Sequence, residues 1–197
     1  MKKVLVFFGL IVSCNLVVAS SLDGFDGKKW GTSVNAIVKE RGDPKLVFKS
    51  SDLWVWDVTE PETLGGYQIE TIHYHFKNCA KVGYFVDEMW GGKYILSEPS
   101  DQLFNEISPK LVSRYGDVTQ QSTSKNDKNE YVSNIFVLDD GSKVKLTYGQ
   151  TIQVPREPVT VFIAYSSRER EQHLNTVCPE LLKIEEAKKN KKKNKDF

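Results

Sequence analysis

The chain has 197 residues, with 27 Lys plus Arg against 26 Asp plus Glu and with 40% hydrophobic and 11% aromatic residues. That composition is globular, and a net charge of +1 gives no support for a nucleic-acid binder held by phosphate contacts. There is no nucleophile elbow, no HExxH and no glycine-rich phosphate loop between strand and helix. The expectation is therefore a non-enzyme with no cofactor and no metal.

The first element is a signal peptide over residues 1–19. Lys2 and Lys3 form its basic start, and Val4 to Ala19 is an apolar run of 16 residues, shorter than the ~20 a bilayer-spanning helix needs. Two processing routes are open. Val17-Val18-Ala19 before Ser20 suits signal peptidase, which gives a periplasmic or secreted protein. Ile11-Val12-Ser13-Cys14 resembles a lipobox, in which Cys14 is lipidated and the protein is anchored at the outer membrane. Either route takes Cys14 out of the thiol count, leaving Cys79 and Cys178 as a pair expected to form a disulfide in an oxidising compartment.

After the signal, Trp30-Gly31-Thr32-Ser33 leads into a short helix with Val34, Ile37 and Val38 on one face, stopped by Gly42 and Pro44. Strand-like runs follow at Leu53 to Val58, Tyr67 to Phe76 and Val82 to Asp87. Gly65-Gly66 separates the first two, and Lys77-Asn78 opens the turn between the last two. Loops this short predict an antiparallel meander of three strands. Met89-Trp90-Gly91-Gly92 reads as a glycine-flanked loop.

The programme then repeats. Ser100 is a candidate N-cap for a helix carrying Leu103, Ile107 and Leu111, which Pro109 should kink or interrupt and Gly116 should end. Ser122 to Glu130 contains nothing apolar and reads as a mobile loop. Strands are expected at Tyr131 to Leu138, Lys143 to Tyr148 and Val159 to Tyr165, with Asp139-Asp140-Gly141 as a turn. The heptad Ile37 to Asp43 lies 74 residues before Leu111 to Asp117, and the two align at the helix ends. The fold class expected is α+β: two tandem α-β-β-β units over 20–98 and 99–178, forming an antiparallel sheet with helices packed on one face.

Ser166 to Thr176 reads as a loop or surface helix. Pro179 suits N1 of a last helix bearing Leu181, Leu182 and Ile184, so 179–197 is a C-terminal helix with a Lys-rich tail. Residues 20–187 carry 19 basic against 25 acidic residues, while Lys188, Lys189, Lys191, Lys192, Lys193 and Lys195 make the end strongly basic. Such a run is either a solvated, frayed end or a contact for an anionic lipid, polysaccharide or acidic partner.

Gly31-Thr32-Ser33, then Val38, Gly42 and Pro44, a strand with Trp54 and Trp56, and a strand ending at Phe76 form an arrangement that resembles the small outer-membrane lipoprotein of the β-barrel assembly machinery. It is similar also to the wider superfamily sharing the fold of the β-lactamase inhibitor protein, a tandem of helix-plus-sheet repeats. The resemblance covers roughly residues 28–87, and 100–165 by pattern alone. It implies a non-enzymatic protein that binds other proteins through a sheet face. The chain departs from the lipoprotein pattern in its duplication and its lysine tail.

Among candidate site residues, His73 and His75 share a strand face but lack a third ligand, so an ordinary polar sheet face is favoured over a metal. Trp54 and Trp56 also share a strand face, with Tyr84 on a neighbouring strand and Trp90 beyond it. Large aromatics in that pattern are either core or, on a sheet face no helix covers, binding anchors. Two functions follow. One is an exported envelope module that binds another envelope protein through this aromatic face. The other is a surface-associated polyanion or lipid binder that acts through the tail.

Overall fold

The structure, a computed structural model, describes residues 21–42, 46–48, 53–79 and 84–193, with the side chains of 46–48, 53–61, 78, 84–85 and 189–193 left aside. The expected signal peptide, Cys14 and Pro44 lie outside the described residues.

A two-residue hairpin opens the described chain, β1 (Gly24–Phe25) and β2 (Lys28–Lys29). Helix α1 (Val34–Arg41) follows, and then strands β3 (Leu46–Phe48), β4 (Leu53–Leu64), β5 (Tyr67–Cys79) and β6 (Tyr84–Leu96). Helix α2 (Asp101–Tyr115) precedes β7 (Gln120–Lys125), β8 (Asn129–Val137), β9 (Lys143–Thr151) and β10 (Pro158–Ser166), and α3 (Arg168–Lys193) ends the described chain. Eight strands form one sheet in the order β3-β4-β5-β6-β10-β9-β8-β7, and every pairing is antiparallel. The α+β class expected from the sequence is thus the observed one. One helix with four strands stands on each side of the β6–β10 seam, where the sequence led us to expect three strands apiece.

The two helices are bounded alike. Ser33 accepts a hydrogen bond from the Ala36 amide at 3.2 Å, and Ser100 accepts one from Leu103 at 3.0 Å. At the other ends Gly42 and Gly116 have φ of 84° and 85°, the left-handed region open to glycine, and their N–H groups donate to Val38 and Val112. These are the positions at which the sequence placed helix stops.

Period-2 alternation fixes what each sheet face carries. Ile72, Tyr74 and Phe76 of β5, Tyr94 and Leu96 of β6, Val161 and Ile163 of β10, and Val144 and Leu146 of β9 are buried with Ile37 of α1 and with Ile107 and Leu111 of α2 in one continuous cluster. Helices α1 and α2 therefore cover one face, as expected. Helix α3 differs: Leu174, Val177, Cys178 and Leu181 pack with Cys79, Val86 and Trp90 in a separate cluster. Cys79 has the strand parity of His73 and His75, so α3 docks at one end of the other face. Cys79 and Cys178 are bonded there, with Cα atoms 5.3 Å apart.

Several segments differ from the sequence reading. Pro109 lies inside an unbroken α2, and Pro179 sits in the middle of α3 rather than at its start. Both prolines are exposed, and buried side chains anchor the helix on either side: Ile107 and Leu111 around the first, Leu174 and the bonded Cys178 with Leu181 around the second. Each removes one amide donor where water reaches the freed carbonyl. Residues 122–130 are not a loop but the closed end of the β7–β8 hairpin, with the Asn126 amide donating to the Asn129 carbonyl at 2.9 Å. An edge strand solvated on both faces has no apolar pattern to show. Strand β6 runs straight through Gly91 and Gly92, expected as loop, for a packing reason. A Cβ at Gly92 would fall 2.3 Å from the Phe25 ring, and one at Gly91 would fall 2.9 Å from the Tyr165 carbonyl oxygen.

Candidate functional site

Among the described residues, the face opposite α1 and α2 is uncovered except where α3 docks. Its residues follow from the register. One row across the strands reads His73, Lys93, Ala164, Lys145, Ile135, and the next reads Thr71, Ile95, Phe162, Thr147, Ser133. Ile95, Phe162 and Ile135 are half-buried, yet they pack against neither buried cluster. Tyr131 joins them one pair further on, its ring lying over Gly149, where a Cβ would come 2.6 Å from Tyr131 Cε1. Ser133 and Thr147 share a hydrogen bond at 2.9 Å in the middle of this surface, and both are buried.

In the central rows of the face the described charged side chains are lysines. The Lys93 ammonium lies 5.0 Å from the centre of the Phe162 ring, and burial lowers its pKa. Lys145 is half-buried on the other side of Ala164. Neither has an ion-pair partner among the described residues. At the α3 end, the Trp90 ring packs against that of His75 with centroids 5.4 Å apart and the planes tilted by 56°. The Trp90 Nε1 and His73 Nδ1 atoms are buried without hydrogen-bond partners among the described residues. Burial, reinforced by the Lys93 charge, pushes His73 down to about 3 and His75 down to about 4, so both rings are neutral at pH 7.

The sequence-predicted site residues separate. Trp90 belongs with α3 and the disulfide rather than with the central face. Trp54 pairs with Tyr74 and Trp56 with Ile72, positions of the helix-covered face, while Val55 pairs with His73 and Leu53 with His75. The two tryptophan positions do fall together, but their side chains lie outside the described set, as does that of Tyr84, which pairs with Cys79. Among the described residues no cluster of three or more His, Cys, Asp or Glu side chains is placed to hold a metal. Lys93, Lys145, Ile95 and Phe162 were not singled out from sequence. For Lys145 the signal was there in the alternation of Lys143, Lys145 and Thr147 against Val144, Leu146 and Tyr148.

On the helix-covered side, Asp26 at the β1–β2 turn ties four elements together. It accepts from the hydroxyl of Tyr74, from that of Tyr94 at 3.1 Å, from Arg41 Nη2 at 2.6 Å and from Lys28 at 3.4 Å. Arg41 also donates to Glu62 at 2.8 Å. Burial, the Asp26 charge and its hydrogen bond raise both tyrosine pKa values. Beside this network lies an open cavity of about 460 Å³, whose lining includes Asp26, Tyr94, Tyr115 and Tyr165. The polar groups of Asp26 and Tyr94 are bonded to each other, which suits a structural role better than a ligand site.

Comparison with protein-family models, with curated proteins and with solved structures finds no match.

Proposed function

We propose that the chain is an exported, non-enzymatic module of the cell envelope that binds another protein through the uncovered face of its sheet. The observation that carries this reading is the group Ile95, Phe162, Ile135 and Tyr131, apolar side chains held by strand register on the part of this face that no described helix covers. Half-buried apolar groups open to solvent on one side and bordered by charge are the usual material of a protein contact. The basic apolar leader supports export to the periplasm or beyond, with lipid anchoring through Cys14 as the other route, and the Cys79–Cys178 bond suits an oxidising compartment. We also read the two helix-plus-four-strand sets as tandem copies, on the support of their common element order and matched Ser and Gly caps.

The test is affinity capture from envelope extracts by the full mature chain and by a Tyr131→Ala, Phe162→Ala variant of unchanged melting temperature. The variant is expected to lose the partner, since truncating central interface aromatics commonly costs 2 kcal/mol or more of binding. A variant that keeps its partner overturns the reading.

A second reading has an observation of its own. The last apolar docking contact of α3 is Leu181, yet the helix continues to Lys193 through a lysine-rich end. That end suits contact with an anionic lipid or polysaccharide, and such binding weakens steeply with salt whereas an aromatic interface hardly changes.

A further inference from the structure

Resting on that reading of the open face, the chemistry of its centre points to the partner. Three neighbouring strands place Lys93, Ala164 and Lys145 side by side, so the two lysine Cα atoms stand about 10 Å apart across a residue with almost no side chain. Along the strands this row is bordered on one side by the Phe162 row. On the other side the row is Gly91, Ser166 and Lys143, of which the first two carry no bulky side chain. Ala164 and Ser166 are small and only partly buried, so the strip between the Lys93 and Lys145 positions is open to solvent, with the Phe162 ring under the Lys93 ammonium at one end.

Both ammonium groups are short of partners. Lys93 has the Phe162 ring but no hydrogen bond and no carboxylate, and Lys145 has neither among the described residues. The histidines alongside stay neutral and offer no counter-charge. A cation partly withdrawn from water and left unpaired gains most from an anion that accepts its hydrogen bonds. We propose that Lys93 and Lys145 together receive a carboxylate side chain of the partner across Ala164, so that the face takes an acidic polypeptide segment. The carboxylate has the reach to accept from both lysines, while Phe162, Ile95 and Ile135 take the apolar side chains next to it.

The experiment is a titration of the ¹⁵N-labelled full mature chain with hexaglutamate peptide, with hexaglutamine as the neutral control and inorganic phosphate as the free anion. Hexaglutamate should move the amide resonances of Lys93, Ala164 and Lys145, and hexaglutamine should not. Lys93→Met and Lys145→Met, which keep the side-chain stem, should each weaken the peptide about tenfold, the loss expected for one charge-assisted hydrogen bond, whereas Lys93→Arg should bind nearly as wild type. A response confined to the C-terminal lysines overturns the site. Equal movement by phosphate shows a general anion site and overturns the acidic segment as its occupant. Methionine variants that bind like wild type overturn the role of the lysines. Should those variants still capture the envelope partner while Phe162→Ala loses it, the carboxylate assignment fails and the face reading stands; if Phe162→Ala also keeps it, the face reading fails.

Discussion

Asp26 shows how much one side chain can hold in a protein of this size. With its side chain 13% exposed and that of Arg41 18% exposed, the pair is largely withdrawn from water, and Tyr74 and Tyr94 direct their hydroxyls to the same carboxylate. Removing the charge leaves Arg41 with Glu62 alone. Breaking a buried pair from one side costs about 3 kcal/mol. At 2–4 °C per kcal/mol in a chain of this length, Asp26→Asn should lower the melting temperature by roughly 6–12 °C. A shift within one degree would show that the network is not a keystone. The histidines of the opposite face give a pH dependence. The folded pKa of His75 lies at about 4 against an ordinary 6.5, so between those values the unfolded chain binds the extra proton. Stability is therefore complete above pH 6.5 and is lost as pH falls toward 4. For His75 alone the loss is roughly 2 kcal/mol at pH 5, and His73 acts in the same direction. Urea unfolding at pH 7 and pH 5 measures this, and His75→Gln should flatten the slope.

Elements were legible in the sequence where they bury a face and illegible where they do not. The caps of α1 and α2, the alternating strands β5, β8, β9 and β10, and the Asp139-Asp140-Gly141 turn all follow from local chemistry, the turn with Gly141 at φ 78°. Strand β7 shows no pattern because its six residues are exposed or nearly so; what holds it is the backbone ladder to β8, which side-chain type does not report. The central part of β6 was hidden because Gly91 and Gly92 imitate a loop. Their glycines are required by neighbours distant in sequence, Phe25 and Tyr165. Gly92→Ala should therefore displace the Phe25 ring and cost about 1–3 kcal/mol through overpacking, visible as a lower melting temperature with altered near-ultraviolet dichroism. Strand parity groups Trp54 with Trp56, and their register against Tyr74 and Ile72 is set by the partner strand, which one strand cannot state. Helix α3 is held by a small cluster and by a bond that closes a separation of 99 residues. A Cys79→Ser, Cys178→Ser chain should lose about 4–5 kcal/mol and exchange the amides of α3 faster than those of α2. Deleting residues 188–197, which lie beyond the last apolar contact of α3, should leave the melting temperature unchanged.

At the scale of the whole molecule, the arrangement of two helix-plus-four-strand sets raises the question of whether they unfold apart. Among the described residues their strands meet at β6 and β10, over the five pairs from Phe162–Ile95 to Ser166–Gly91. Backbone pairing of that length would not by itself couple two domains. The core decides otherwise, because one continuous buried cluster joins Ile37, Ile72 and Tyr74 of the first set to Ile107, Phe136 and Leu146 of the second. Ile163 stands at the junction, 3% exposed, opposite Tyr94 of β6 on one side and Leu146 of β9 on the other. Unfolding either set alone would strip apolar cover from the other, which makes the partly folded states costly. Calorimetry of the mature chain should therefore give one transition whose calorimetric and van't Hoff enthalpies agree. Ile163→Ala, which leaves a cavity at the seam and costs about 2–5 kcal/mol, should move that single transition to lower temperature without splitting it. Two resolved transitions in the unmutated chain, or a mutant in which only one of two steps shifts, would show that the sets are separate folding units and that the shared cluster does not couple them.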